Sequence, residues 1–192
     1  MNERTLVVGF GPYLNVADNP SAHIAEALDL PHVVLEVSYT AAEKFVFQRD
    51  PSYFDCLLLL GAAPSRKFIC PELFARNVYG GVADVEGNQR TGEIEAGQPL
   101  LLSSTMFTDE PMAAVLADDP HMRLSLDAGC YLCNFLYYEA LTRFPGKQVG
   151  FVHLPLFDAI PMATQIQSIY GLMRTIETDS PTAESYPRRA TA

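Results

Sequence analysis

Basic residues are scarce in this 192-residue chain: 13 Lys and Arg stand against 23 Asp and Glu, for a net charge of −10. No Lys/Arg cluster offsets the deficit, so the electrostatic footprint of a nucleic-acid or anionic-membrane binder is missing. Long hydrophobic runs are missing too. The run from Cys56 to Ala63 is far shorter than the about 20 apolar residues of a membrane helix. Met1-Asn2-Glu3-Arg4 leads straight into Thr5 to Phe10 with no basic segment and no small-residue cleavage site, so no signal peptide is expected. The 4 cysteines are too few for a disulfide framework in a chain of this size; they read as reduced thiols of a cytosolic protein. There is no internal repeat and no linker. One domain is expected over 1–178, followed by a frayed tail over 179–192 that is rich in Ser, Pro, Thr, Ala and Arg.

What is present is a hydrophobic fraction of 48%, normal for a globular protein. A chain of this length buries roughly 70% of its unfolded surface. Apolar runs alternate with helical patterns. Thr5 to Phe10, Val33 to Val37, Cys56 to Leu60, Leu100 to Ser104 and Val149 to Leu154 read as strands. Asn19-Pro20-Ser21 reads as a helix entry, with Asn as cap and Pro at the first position. Further helices are expected over Thr40 to Arg49, Glu110 to Leu116, Cys130 to Arg143 and Pro161 to Glu177, the last with apolar Ile166, Ile169, Tyr170 and Met173 on one face. Asn77 to Pro99 is rich in Gly and polar residues and reads as loop. The alternation predicts a three-layer α/β/α sandwich on a mostly parallel sheet. Active sites of such folds lie beyond the carboxyl ends of the strands, here just after Phe10, Leu60 and Val152.

Three residues could carry chemistry. Cys133 falls at the start of an apolar helix, where the positive end of the helix dipole lowers a thiol pKa and free N–H groups can hold an oxyanion. His153 ends a strand, which would hold a general base rigidly. Glu72 follows a loop after the central strand and could orient an imidazole. Each has a blander alternative: an inert core thiol, a histidine satisfied by backbone, a solvated carboxylate. Cys130-x-x-Cys133 also admits a thioredoxin-like redox pair or half of a zinc site, both ranked below a single catalytic thiol.

Motifs along nearly the whole chain then resemble the pyroglutamyl peptidase I (pyrrolidone-carboxylate peptidase) family of cysteine peptidases. Gly9-Phe10-Gly11-Pro12-Tyr13 is similar to its opening Gly-Phe-x-Pro-Phe, and Asn19-Pro20-Ser21 to its Asn-Pro-Ser. Arg66, Ile69, Glu72, Ala75 and Asn77 keep the spacing of its glutamate motif. Ser125, Ala128-Gly129, Cys133-Asn134 and Tyr137 resemble its cysteine motif, and Gly150-Phe151-Val152-His153-Leu154-Pro155 its histidine motif. The resemblance implies a flavodoxin-like fold, removal of N-terminal pyroglutamate (5-oxoproline) from peptides, no metal or organic cofactor, and a homo-oligomer, dimer or tetramer. It implies Cys133 as nucleophile, His153 as base and acid, Glu72 as orienting carboxylate, and Phe10, Tyr13 and Tyr131 around the substrate ring. Other readings of the same residues are a thiol hydrolase for another small cyclic or acylated amide, or a degenerate homologue that only binds a ligand.

The chain also departs from that family. Tyr13 and Tyr131 replace Phe, and Tyr79-Gly80-Gly81-Val82-Ala83-Asp84 stands where the family has Asp-Ala-Arg-Ile-Pro-Asp, so the family's Arg is missing at Gly81. Cys130, one helical turn before Cys133, is an addition. Oxidation could join it to Cys133 and silence the site reversibly.

Overall fold

The computed structural model describes residues 4–13, 16–107 and 109–178; the expected tail over 179–192 lies outside the described residues. The apolar runs form the sheet. Strands β1 (Thr5–Phe10), β2 (His32–Leu35), β3 (Cys56–Ala62) and β9 (Gln148–Leu154) are parallel, and the short edge strand β4 (Cys70–Glu72) runs antiparallel to β9, giving the order β2-β1-β3-β9-β4. Alternate residues on β1, β3 and β9 face opposite layers. Leu6, Val8, Leu57, Leu59 and Phe151 pack into one core, while Val7, Leu58, Leu60, Val152 and Leu154 pack into the other. Both faces of the central strands are therefore covered, as continuous apolar runs in parallel sheets require.

Helices α1 (Pro20–Ala27), α3 (Asp109–Asp118) and α5 (Met162–Thr178) lie on one face. Helices α2 (Tyr39–Gln48) and α4 (Leu132–Arg143) lie on the other. Helix α1 starts where expected: the Asn19 side chain accepts from Ser21 N at 3.1 Å and donates to the Gly11 carbonyl at 2.7 Å, tying the helix entry to the end of β1. A cap of this kind contributes about 1 kcal/mol. Helix α4 begins at Leu132, slightly later than the pattern suggested, and Cys133 sits in its first turn.

The region after β3 departs from the sequence reading. Glu72 does not follow a loop; it lies on β4, fully buried. Next come β5 (Phe74–Arg76), paired with β8 (Leu101–Ser103), and a two-residue ribbon of β6 (Tyr79–Gly80) with β7 (Thr91–Gly92) inside the stretch expected as loop. Among the described residues no helix is long and apolar enough to cross a membrane.

Candidate active site

The register of three strands brings the candidate residues together. His153 on β9 is paired with Gly61 on β3 and with Cys70 on β4, which leaves Glu72 two residues further along the same face. Glu72 Oε1 accepts a hydrogen bond from His153 Nδ1 at 2.7 Å. An ionised carboxylate only accepts, so the imidazole proton is on Nδ1, and Nε2 keeps a free lone pair when the ring is neutral. The same oxygen meets Arg66 Nη1 at 2.8 Å.

Helix α4 delivers Cys133 onto that face. Buried Asn134 clamps the helix to β5: its Oδ1 accepts from Arg76 N at 2.7 Å, and its Nδ2 donates to the Arg76 carbonyl at 2.8 Å and to the Val78 carbonyl at 3.2 Å. Tyr137 Oη donates to the Glu72 carbonyl at 2.9 Å, joining the helix to β4 as well. The sulfur then rests on the sheet at Gly61, where a Cβ would lie 2.7 Å from Cys133 Sγ and 2.7 Å from the Phe151 ring. Only glycine leaves that seat open. Because Gly61 is the register partner of His153, the thiol sits one strand away from the imidazole. Among the described residues the Cys133 thiol and His153 share no hydrogen bond. Residue Tyr131 precedes the helix without a side-chain cap, so the first N–H groups stay available to an anion.

One expectation needs correction. The helix dipole does not produce a thiolate here: burial pushes the Cys133 thiol up to about 12, and the Glu72 charge adds to the rise, against Arg66 and the residue's own N–H. Desolvation is the largest contribution to that rise. Burial also holds His153 below its usual value; Glu72 opposes this and Arg66 reinforces it. Both shifts favour the neutral form, of the thiol and of the imidazole alike.

Phe10, Tyr13, Tyr131 and Cys133 line one cavity of about 490 Å³, together with Val37 and Leu156. The rings of Tyr13 and Tyr131 are 5.3 Å apart. Their hydroxyls, the additions relative to Phe, both donate to the Ala83 carbonyl, at 3.5 Å from Tyr13 and 3.1 Å from Tyr131. Cys130 faces elsewhere. A Cβ at Gly80 would collide with its sulfur, and Gly80 N donates to the Cys130 carbonyl at 2.6 Å. Residue 80 thus accommodates Cys130 by having no side chain. Among the described residues no disulfide joins any of the cysteines, and no cluster of His, Cys, Asp or Glu could hold a metal ion. Sequence reading missed Gly61 as the thiol's seat and Arg66 as the second partner of Glu72. Arg66 belongs to the stretch that keeps the glutamate spacing, which was the available signal; Gly61 lies before it, at the end of the apolar run of β3.

The family profile for pyroglutamyl peptidase matches residues 3–171. The chain is 29% identical over 191 residues to a pyrrolidone-carboxylate peptidase of Mycobacterium marinum, covering 88% of this chain and 83% of the relative. It is 32% identical over 171 residues to one of Saccharolobus islandicus, covering 80% of each. Among solved structures, the pyrrolidone carboxyl peptidase of Thermus thermophilus superposes with a TM-score of 0.79 at 28% identity, over 89% of this chain and 99% of that one. The enzyme of Thermococcus litoralis shares the fold with a TM-score of 0.81 at 22% identity, over 91% and 93%. A match across this much of the chain, on a fold that positions the motif residues together, makes the protein a member of the pyroglutamyl peptidase family.

Proposed function

We propose that the protein removes N-terminal pyroglutamate from peptides through an acyl-enzyme on Cys133, with His153 as general base and then acid, and Glu72 orienting the imidazole. The observation that carries this reading is the seat of the Cys133 sulfur over Gly61, the residue registered with the Glu72-bound His153.

The substrate has lost its terminal ammonium by cyclisation, so a largely apolar cavity suits its ring, and Phe10, Tyr13 and Tyr131 supply the walls. Because the resting thiol is neutral, the sulfur gives its proton to His153 Nε2 as it attacks the pyroglutamyl carbonyl. The oxyanion of the tetrahedral intermediate is stabilised by the uncapped N–H groups at the start of α4. Collapse breaks the C–N bond, and the imidazolium protonates the departing amine. A water molecule, deprotonated by His153, then hydrolyses the thioester to free pyroglutamate and thiol. Glu72 stabilises the imidazolium in both halves. The same reading carries a single peptidase domain over 1–178, a cytosolic setting and assembly as a dimer or tetramer.

Release of a fluorescent amine from a pyroglutamyl amide, in reducing buffer, tests the reading. Wild type turns over this substrate and spares the prolyl amide, whereas Cys133→Ala abolishes turnover. Persistent activity in Cys133→Ala, or equal cleavage of the prolyl amide, overturns it.

A further inference from the structure

Between β3 and β4 the chain carries Arg66, whose contacts the reaction above leaves unused. Its Nη1 shares Glu72 Oε1 with the imidazole, at 2.8 Å against 2.7 Å for His153 Nδ1. Its Nη2 donates to the Asp127 carbonyl at 2.9 Å, on the segment that turns through Gly129 into α4. Asp127 is fixed in turn: its carboxylate accepts from Gly129 N at 2.9 Å and meets Arg76 Nη1 at 3.1 Å. One cation therefore touches both the carboxylate behind the imidazole and the backbone that leads to the thiol. Glu72 is fully buried, and a carboxylate stripped of water needs a charged partner. A neutral imidazole offers it a hydrogen bond without charge; Arg66 offers both.

We propose that Arg66 is a positioning residue of this site: by holding Glu72 Oε1 it supplies the countercharge of the buried carboxylate, fixes the orientation of His153 and ties both to the entry of the Cys133 helix. The proposal rests on the reading of His153 as the base. The planar guanidinium suits the task because its rigid fork holds separate N–H groups out to acceptors in different segments, whereas an ammonium gathers its donors on one nitrogen. Glu72 faces His153 from β4, Cys70 is its register partner there, Arg66 approaches from the loop, Asp127 from the segment before α4, and Cys133 from α4 itself. Glu72 and Asp127 favour the imidazolium, whereas burial and Arg66 favour the neutral base. Without Arg66 the imidazole holds its proton to higher pH, and the acid limb of kcat/KM, which reports the free base, moves up with it.

Two variants, Arg66→Met and Arg66→Lys, test this through steady-state kinetics across pH and an NMR titration of the His153 ring nitrogens. For Arg66→Met we expect a loss of about 100-fold in kcat, the scale of a displaced catalytic group, with KM little changed and both the acid limb and the ring titration displaced upward. Arg66→Lys keeps the charge, so its titration stays near wild type while kcat recovers only in part, since the tether to Asp127 is lost. An unmoved His153 titration in folded Arg66→Met overturns the proposal whatever happens to activity. Should that variant not fold, wild-type kcat in Arg66→Lys overturns it instead. A wild-type protein inert toward pyroglutamyl amides refutes the assigned reaction, and the ring titration then still decides for or against Arg66.

Discussion

Two regions meet at the cavity and are built on different principles. On the sheet side, Glu72, Gly61 and His153 are placed by strand register, and Asn134 and Tyr137 bolt the cysteine helix to the same strands. On the other side, the stretch from Tyr79 to Asp84 is irregular apart from a two-residue ribbon; besides main-chain bonds such as Gly80 N to the Cys130 carbonyl and Gly81 N to the Arg90 carbonyl, it is held by side chains: Tyr13 and Tyr131 on the Ala83 carbonyl, and Asp84 accepting from Tyr39 N at 2.8 Å and Asn88 N at 2.8 Å. The departures from the family motifs fall largely on this second side. Chemistry tied to main-chain register cannot drift without unmaking the sheet, whereas a wall tied by side chains can exchange one contact for another.

The contrast breaks most severely at Gly61. Gly61→Ala adds a methyl group 2.7 Å from Cys133 Sγ and 2.7 Å from the Phe151 ring, in a strand buried on both faces. The sulfur must leave its place over Gly61, and displacement by about 1 Å costs on the order of 100-fold in rate. We expect kcat to fall at least that far while the circular dichroism spectrum stays native. Near-wild-type turnover in Gly61→Ala would mean that sheet register does not set the nucleophile. Overpacking of this kind also costs about 1–3 kcal/mol of stability, measurable by urea titration.

The same contrast explains what could be read from the sequence. Strands β1, β3 and β9 announce themselves as apolar runs, and their helices by period and caps, because burial on both faces leaves no other composition. Strand β4 does not. It has three residues, one of them Pro71, and its pairing is antiparallel at the edge. Proline fits because Pro71 opposes Val152 between the bonded pairs, and on its outer side only its carbonyl is used, accepting from Ser125 N at 2.9 Å. No local pattern conveys that. The candidate residues Cys133, His153 and Glu72 were legible as motifs, but their protonation was not. The helix dipole acts from the next few residues, whereas the burial that raises the thiol comes with the seat of the sulfur at Gly61 on β3, far away in sequence.

That burial has a pH signature of intermediate size. The Cys133 thiol rises from 9.0 to about 12 on folding. Its neutral form is favoured in the folded chain, so stability is unaffected below about pH 9. It is then lost progressively as pH rises toward 12, because only the unfolded chain releases the proton. His153 has the opposite sign: folding lowers its pKa, so stability is lost as pH falls below the ordinary imidazole range of about 6.5. Melting temperature should therefore decline on both flanks. In Cys133→Ala the alkaline decline is shallower, which separates the thiol from buried Tyr39, itself pushed up to about 12. Equal alkaline slopes in the two proteins would show that the thiol is well hydrated and that the dipole prevails after all.

The wall should respond least. Tyr131→Phe deletes the donor to the Ala83 carbonyl while keeping the ring against Tyr13. Residue 83 is exposed, so its carbonyl regains water and no buried group is stranded. Loss of such a hydrogen bond costs about 0.5–1 kcal/mol, which corresponds to a KM rise of roughly threefold with kcat almost unchanged. The split between the two constants is what matters. A rise in KM alone keeps Tyr131 on the recognition side, where substrate and transition state are held equally. A fall in kcat at constant KM would place the hydroxyl among the groups that act on the transition state, and the boundary between a register-built chemical side and a side-chain-built wall would have to be drawn through α4 itself.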